Sequence, residues 1–349
     1  MTLVSGGGSR TKHASSRFAV LLLLAAFPAA AAGTLGGPLE LQDEGSFFVG
    51  GHWITTAHAG PVTPGQIMIG QMYVQFRIPK TIGFPAIVMV PGFSHTGATF
   101  ETTPDGREGW ATYFARKGFP VYVVDHAGRA RSGFDPSPIN RAKAGAAAAK
   151  LPRFPQFTRE RAWSFFRIGP AYPTAFPDTQ FPVEAFDRYV SQLVPNTEST
   201  LPGGGDNTVT ALGALVDRIG PAIVLAHSQA GAYAMDLIRR RPDKVRALVN
   251  VEGSCQPVTP EETANTFAKV PMLAVWGDFP AGVQFPNTGT ARGCMQLMGA
   301  LQATNGTARY LSLPEAGQKG NSHMLMMDKN NLEIADLIIG WIAESVREK

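Results

Sequence analysis

The amino-acid sequence predicts an α/β protein whose central sheet is mostly parallel and carries helices on both faces. Short, continuous apolar runs of strand length recur along the chain, and helix-forming stretches separate several of them. These runs are 86–90, 121–124, 222–226, 247–251 and 272–276. Strands that are apolar along their whole length fit a sheet covered on both faces. Alternation of strand and helix then predicts parallel pairing with right-handed crossovers.

The composition is typical of one large globular domain, or of a core domain with an insertion. The chain has 349 residues, of which 44% are hydrophobic and 17% charged. Its formal net charge is +4, but Arg10, Lys12 and Arg17 lie before residue 38, where there are no acids. The rest of the chain is therefore close to neutral. Since no basic stripe is interleaved with aromatic residues, we expect no nucleic-acid partner.

The N-terminus predicts a secretory signal peptide over residues 1–32. Three basic residues precede the apolar run Phe18–Phe27, and the small residues Ala29–Ala32 then offer cleavage sites. The alternative, a membrane anchor, is disfavoured because this apolar run is short and is ended by Pro28. We therefore expect a mature chain over residues 33–349 that is secreted or periplasmic and has no stable membrane insertion.

The first strands and helix follow from their patterns. Ser46–Val49 is an early strand, and Met72–Ile78 alternates apolar with polar residues, which indicates a half-buried antiparallel strand. The apolar run 86–90 then breaks into a loop at Gly92. A helical stretch around Trp110 ends at Gly118, before the next buried strand.

Residues 134–205 interrupt the alternation and predict a helical cap insertion. Ten of the chain's 27 prolines and eleven aromatic side chains fall there. Short helices are expected at Glu160–Arg167 and Val183–Val194. The aromatic residues suit the lid or wall of an apolar pocket, but small helical insertions also need aromatic side chains simply to pack.

In the second half of the chain, predicted helices and strands alternate again. Leu201–Gly205 is interpreted as a loop, and it is no phosphate-binding loop because no Lys-Ser/Thr pair follows. A helix is expected over Asn207–Ile219 with Asp206 capping its start. A last strand at Arg309–Leu313 and an amphipathic helix near Leu332–Val346 close the chain.

Ser228 lies where an apolar strand passes directly into a helix-forming run. A nucleophile elbow needs such a turn, with small neighbours that let strand and helix approach closely. The usual pattern is G-x-S-x-G, whereas Ala226 and Ala230 stand at the glycine positions and Gly231 follows one place later. The alternative is a serine that caps an ordinary helix.

A serine nucleophile needs a base, an acid and N–H donors for the oxyanion. His323 is the best candidate base, because it alone of the seven histidines lies late, in a polar loop after the final strand; the alternative is a surface or packing histidine. The acid is either Glu252 or Asp278, since each ends a strand after the elbow, and either could be an ordinary loop carboxylate. The backbone N–H groups of Phe93 and Gln229 are the candidate oxyanion hole.

Three further histidines lie near these positions. His227 adjoins the candidate nucleophile, but neighbouring side chains on a turn point apart. His95 and His126 follow the carboxyl ends of two predicted strands, where side chains of a parallel sheet gather. We expect them to be structural or to face substrate rather than to act in catalysis.

Four stretches carry a resemblance to a known family: 45–51, 101–107, 206–231 and 250–253. They resemble the α/β-hydrolase superfamily, and within it the branch typified by bacterial esterase 713. The resemblance implies an α/β-hydrolase fold for residues 33–349. It also implies that glutamate after the strand following the elbow is the acid, which favours Glu252 over Asp278. That branch carries adjacent cysteines in its oxyanion loop, where this chain has Phe93 and Ser94.

The prediction is therefore a secreted serine hydrolase that cleaves a small-molecule carboxylic ester through an acyl-enzyme, with Ser228, His323 and Glu252 as the triad. No metal and no cofactor are expected. An amide, thioester or lactone hydrolase would use the same triad, and a non-catalytic binding protein could share the fold. The sequence leaves open the oligomeric state, a homodimer included, and whether Cys255 pairs with Cys294.

Overall fold

A computed structural model describes residues 2, 7, 36–56, 64–145, 151–279 and 291–346. The compact unit spans Leu35–Lys349. Apart from Thr2 and Gly7, the predicted signal peptide lies outside the described residues. Within the described ranges, no helix is both long and apolar enough to span a bilayer.

The core is one eight-stranded sheet. Its strands are β1 Leu41–Thr56, β2 Gly65–Pro79, β3 Ile87–Val90, β4 Val121–Val124, β5 Ala222–His227, β6 Val245–Val251, β7 Met272–Trp276 and β8 Ala308–Ser312. They are arranged in the order β1-β2-β4-β3-β5-β6-β7-β8. The pairs β1–β2 and β2–β4 are antiparallel and the other five pairs are parallel. The predicted mostly parallel sheet is confirmed.

The helices are α1 Ala98–Glu101, α2 Trp110–Arg116, α3 Ser137–Lys143, α4 Arg159–Phe165, α5 Phe186–Val190, α6 Gly204–Ile219, α7 Ala230–Arg240, α8 Pro260–Asn265, α9 Ala291–Ala303 and α10 Asn331–Ser345. They cover both faces of the sheet. Ile87 and Met89 of β3 pack into one apolar core with α2 and α10, whereas Val88 and Val90 pack into a second core with α6, α7 and α9. Because successive side chains of a strand point to opposite faces of the sheet, β3 contributes to both cores and has to be apolar along its whole length.

The antiparallel hairpin is longer than predicted. The predicted strands at 46–49 and 72–78 lie inside β1 and β2, which extend over 16 and 15 residues. The first residues of β1 are exposed and mostly polar, so their sequence pattern does not predict a strand. Gly50 and Gly51 also interrupt its pattern; both have positive φ, and a Cβ at Gly50 would lie 3.0 Å from the Ala211 backbone of α6.

Helix α6 begins at Gly204, three residues before the predicted start at Asn207, so the predicted loop 201–205 is partly helical. Gly203, in a left-handed conformation, precedes the helix in the position expected for Asp206. Asp206 instead lies in the first turn and forms an ion pair with Arg240 of α7. An acid in this position is favourable because the helix N-terminus carries partial positive charge.

The described parts of 134–205 contain helices and turns but no strand of the sheet. The predicted helix 160–167 corresponds to α4, and the predicted helix 183–194 is a short 3₁₀ turn followed by α5. Trp163 and Phe166 are buried in the core that holds α2 and α10. Much of the aromatic content therefore serves packing, and the role of this segment as a cap stays a prediction.

Cys255 and Cys294 form a disulfide, with their Cα atoms 5.1 Å apart. The bond ties the loop after β6 to α9. This answers the question of pairing that the sequence left open.

Candidate active site

Ser228 lies on the sharp turn between β5 and α7 with φ of +54°. This left-handed conformation is unfavourable for a residue with a Cβ and is typical of a nucleophile elbow. The neighbours that would be glycine in the usual pattern, Ala226 and Ala230, are both fully buried. A Cβ at Gly92 would lie 2.8 Å from the Cβ of Ser228, so only glycine allows the loop after β3 to approach this closely.

The structure brings Ser228, His323 and Glu252 into one hydrogen-bonded chain. The Ser228 hydroxyl donates to Nε2 of His323 at 2.9 Å, and Nδ1 of His323 donates to Oε2 of Glu252 at 3.2 Å. All three side chains are buried. The carboxylate therefore fixes the tautomer in which Nε2 is free to accept a proton.

Burial and charge set the protonation states of this chain. Burial lowers the pKa of His323, and the nearby Arg167 guanidinium lowers it further, while Glu252 partly offsets both effects. Burial raises the pKa of Glu252, but the charge of Arg167 and the hydrogen bond from His323 outweigh burial, so this pKa is lowered overall. At neutral pH the pair is thus a neutral imidazole and a carboxylate, as a general base requires.

Asp278, the alternative acid, is placed differently. Its carboxylate accepts hydrogen bonds from the backbone N–H of Phe279 at 2.9 Å and of Gly320 at 3.1 Å. Its own N–H donates to the Asn321 carbonyl at 2.9 Å. Asp278 therefore supports the loop that carries His323, and the geometry favours Glu252 as the partner of the imidazole.

Phe93 and Gln229, the candidate oxyanion residues, lie directly after Gly92 and Ser228. Among the described residues, the backbone N–H of neither donates a hydrogen bond to protein. A Cβ on Gly92 would meet the Ser228 side chain, so the loop that carries the Phe93 N–H passes close to Ser228, and Gln229 directly follows Ser228 in the chain. Unused backbone donors beside a nucleophile are what an oxyanion hole requires.

Arg167 is a site residue that the sequence interpretation missed. It follows α4, has φ of +57°, and is 2% exposed. Its Nη2 donates to Oε1 of Glu252 at 2.5 Å, and its Nε donates to the Asp278 carbonyl at 2.7 Å. The preceding residue, Phe166, accepts a hydrogen bond from the His323 N–H at 2.9 Å and stacks on its ring. Arg167 lies in an aromatic stretch of the sequence and belongs to no recognisable motif, so its role could not be predicted from the sequence.

The three further histidines are buried and hold loops in place. Nε2 of His227 donates to the His323 carbonyl at 3.0 Å, and Nε2 of His126 donates to the Pro91 carbonyl at 2.6 Å. Nδ1 of His95 contacts the Phe93 carbonyl at 2.7 Å. Burial lowers the pKa of His95 to about 3 and that of His126 to about 4. Burial also lowers the pKa of His227, so all three imidazoles are neutral at pH 7.

In the part of the chain that the structure describes, no group of three or more His, Cys, Asp or Glu side chains is arranged to hold a metal ion. The hydrogen-bonded chain from Ser228 through His323 to Glu252 has the hydroxyl, imidazole and carboxylate in the order that nucleophilic acyl transfer uses.

The strand order and the positions of serine, acid and histidine after β5, β6 and β8 define an α/β hydrolase. No protein-family model matches the sequence. A solved structure described as a novel bacterial esterase is 40% identical, with a TM-score of 0.83, over 89% of this chain and 98% of that one. The probable secreted lipase phiG of a fungal species (strain ATCC 74256) is 28% identical over 78% of this chain and 85% of its own. The chain belongs to the serine esterases of the α/β-hydrolase superfamily, and it is a carboxylic ester hydrolase.

Proposed function

We propose that this enzyme hydrolyses esters through an acyl-enzyme formed on Ser228, with His323 as general base and acid and Glu252 as the orienting carboxylate. The observation that carries the proposal is the continuous hydrogen-bonded chain from Ser228 through His323 to Glu252, at 2.9 and 3.2 Å. The backbone N–H groups of Phe93 and Gln229 supply the oxyanion hole.

In acylation, Oγ of Ser228 attacks the ester carbonyl carbon while Nε2 of His323 takes the hydroxyl proton. The carbonyl oxygen becomes an oxyanion and accepts hydrogen bonds from the two backbone N–H groups. The imidazolium is stabilised by Glu252, which stays ionised because Arg167 faces its other oxygen. Nε2 then returns the proton to the leaving alkoxide, and the alcohol departs.

In deacylation, the same groups act on water. Nε2 of His323 takes a proton from a water molecule, whose oxygen attacks the acyl carbon of the Ser228 ester. The second tetrahedral intermediate collapses to the carboxylic acid, and the proton returns to Oγ of Ser228. The site is thereby restored without a net change in charge.

The substrate is proposed to be a small-molecule ester with a bulky or aromatic group. The partly exposed rings of Phe93, Phe157 and Phe165 form a continuous aromatic wall, with centroids 5.3 and 4.9 Å apart. The Phe165 ring lies 6.4 Å from that of His323. The wall therefore begins beside the catalytic base, where an apolar part of the substrate would pack.

We also propose that the enzyme is exported. The basic, apolar and small-residue segments of residues 1–32 support this, as does the name of the fungal relative, a probable secreted lipase. N-terminal sequencing of the mature protein from an expressing bacterium tests it. A start near Gly33 is expected, whereas an intact N-terminus on protein retained in the cytoplasm would contradict it.

The catalytic proposal is tested with a fluorophosphonate probe, which reacts covalently with an activated serine. Wild-type protein should be labelled on Ser228, and Ser228→Ala should not be labelled at all. Ser254→Ala, on the loop after β6, is the matched control and should keep the label. Folded wild-type protein that takes no label, or equal labelling of Ser228→Ala, would overturn the proposal.

A further inference from the structure

Arg129 is a buried cation behind the candidate oxyanion hole. It lies in the loop after β4 and is 1% exposed. Its Nη1 donates to the carbonyl oxygens of Gly92, at 2.5 Å, and of His95, at 2.8 Å. Its Nη2 donates to the side-chain oxygen of Gln229 at 2.9 Å. One guanidinium therefore contacts both segments that supply the oxyanion N–H groups.

The bond to Gly92 bears directly on the Phe93 donor, because the Gly92 carbonyl and the Phe93 N–H belong to the same peptide group. A trans peptide is planar, and its C=O and N–H point in opposite directions. Fixing the carbonyl oxygen on Arg129 therefore fixes the direction of the N–H. A positive charge at the oxygen also polarises the amide, which makes the N–H a stronger hydrogen-bond donor.

The Gln229 donor is supported in a parallel way. The carbonyl of its peptide group is that of Ser228, which accepts hydrogen bonds from the N–H groups of Gly231 and Ser254, each at 3.1 Å. The Gln229 side chain is held between Arg129 and the Tyr233 hydroxyl, to which Nε2 of Gln229 donates at 3.0 Å. In both peptide groups, therefore, the carbonyl oxygen accepts hydrogen bonds from protein, while the N–H that points the opposite way is the proposed oxyanion donor.

Glu198, in the segment 134–205, supplies the negative charge that stabilises the buried Arg129 guanidinium. Glu198 forms a buried ion pair with Arg129, and the Asn196 side-chain oxygen accepts from both Arg129 and the Ser94 N–H. A buried charge needs such compensation, since an unpaired one is strongly destabilising. An alternative explanation of Arg129 is therefore that it only anchors the insertion through Glu198.

We propose that Arg129 is a positioning residue for the oxyanion hole, holding the Gly92–Phe93 peptide and Gln229 so that both N–H groups face the developing oxyanion. This rests on the oxyanion roles proposed above for Phe93 and Gln229. Arg129 acts on the transition state and not on ground-state binding, since its contacts align donors that a neutral ester carbonyl uses only weakly.

The test compares Arg129→Lys with Glu198→Gln, using p-nitrophenyl acetate and counting active sites by complete labelling with the fluorophosphonate probe. Lysine keeps the charge opposite Glu198 but cannot reach the Gly92 carbonyl and Gln229 together. We expect its acylation rate and kcat per active site to fall about 10- to 100-fold with KM changed less than about threefold. Affinity for an aryl trifluoromethyl ketone, which forms a tetrahedral oxyanion on the serine, should fall by a similar factor.

Glu198→Gln keeps every bond from Arg129 to the oxyanion segments and should retain kcat within about threefold, with a lower Tm. Arg116→Lys is the matched control: Arg116 pairs with buried Glu108 and donates to two backbone carbonyls at the opposite end of the strands. It should leave kcat unchanged. If Arg129→Lys does not fold, Arg129→Met/Glu198→Met removes both charges and should show the same loss.

Unchanged kcat per active site in either Arg129 variant would overturn the inference. An equal loss in Glu198→Gln would also overturn it, because the ion pair would then be the important contact. These outcomes are distinct from failure of the proposed function, in which wild-type protein itself would take no fluorophosphonate label.

Discussion

Nη2 of Arg167 lies 2.5 Å from Oε1 of Glu252, while Oε2 of the same carboxylate accepts from Nδ1 of His323. The carboxylate is thus shared between a permanent cation and the imidazole. Arg167 comes from the segment 134–205 between β4 and β5, and Glu252 directly follows β6. The protonation state of the catalytic pair therefore depends on a residue outside the sheet that carries the rest of the site.

Arg167→Met is expected to shift the acid limb of the kcat/KM profile to higher pH. Activity requires neutral His323 and so appears as pH rises through its folded-state pKa, which burial and Arg167 place below the ordinary value of 6.5. Loss of the cation raises the pKa of both His323 and Glu252, and both changes move the limb upward. Arg167→Lys keeps the charge and is the control. An acid limb at the wild-type position in the Met variant would contradict the prediction.

The two candidate acids are separated by paired amide substitutions. Glu252→Gln should lower kcat by about 10²- to 10⁴-fold, because the amide cannot stabilise the imidazolium or select its tautomer. Asp278→Asn should cost less than about tenfold in kcat and mainly lower Tm, since its carboxylate holds the Gly320 backbone. The assignment is wrong if Glu252→Gln keeps near-wild-type turnover while Asp278→Asn loses several decades.

Stability is expected to fall as pH drops below about 6.5. The buried histidines His95, His126, His227 and His323 have folded-state pKa values below 6.5, about 3 for His95 and about 4 for His126, chiefly through burial. The unfolded chain binds these protons first, so each histidine costs about 1.4 kcal/mol per pH unit until its folded pKa is reached.

Asp328 acts in the opposite sense. Burial raises its pKa to about 6, so its contribution to stability is present at low pH and is lost as pH rises through that value. Between pH 7 and pH 5 the four histidines together change the free energy of unfolding more than Asp328 does, and in the opposite direction. Urea unfolding at pH 7 and pH 5 measures the net slope, and His126→Gln, which does not titrate, should reduce it by about one proton. A free energy of unfolding that is equal at both pH values would contradict the prediction.

Much of the fold follows from the sequence because the parallel strands are short and apolar throughout. β4 and β7 begin and end where predicted, and the other parallel strands differ by a few residues at most. The errors lie where glycine or polar residues mask the pattern, as in the hairpin of β1 and β2 and at the start of α6. Local composition does not show that Gly204 is already helical, because tertiary packing decides it.

The candidate site was predictable to the extent that its residues end strands. Ser228 and Glu252 do so, and His323 lies in the loop after the last strand, so the topology alone brings these three to one edge of the sheet. Arg167 and Arg129 could not be found in this way. Each lies in an irregular segment and reaches the site through a long side chain, whose partners are set by the tertiary fold and not by spacing along the chain.

The aromatic wall predicts acceptance of bulky esters. p-Nitrophenyl benzoate and medium-chain esters should be hydrolysed with kcat/KM at least equal to that of the acetate, because the rings of Phe93, Phe157 and Phe165 can bury apolar surface beside His323. Phe157→Ala should lower kcat/KM for the benzoate by about tenfold and leave the acetate nearly unchanged. Phe154→Ala is the matched control, since that ring lies in the same segment 134–205 as Phe157, contacts Phe134 and is 43% exposed. A strict preference for acetate in the wild-type enzyme would show that these rings pack the insertion and do not contact substrate.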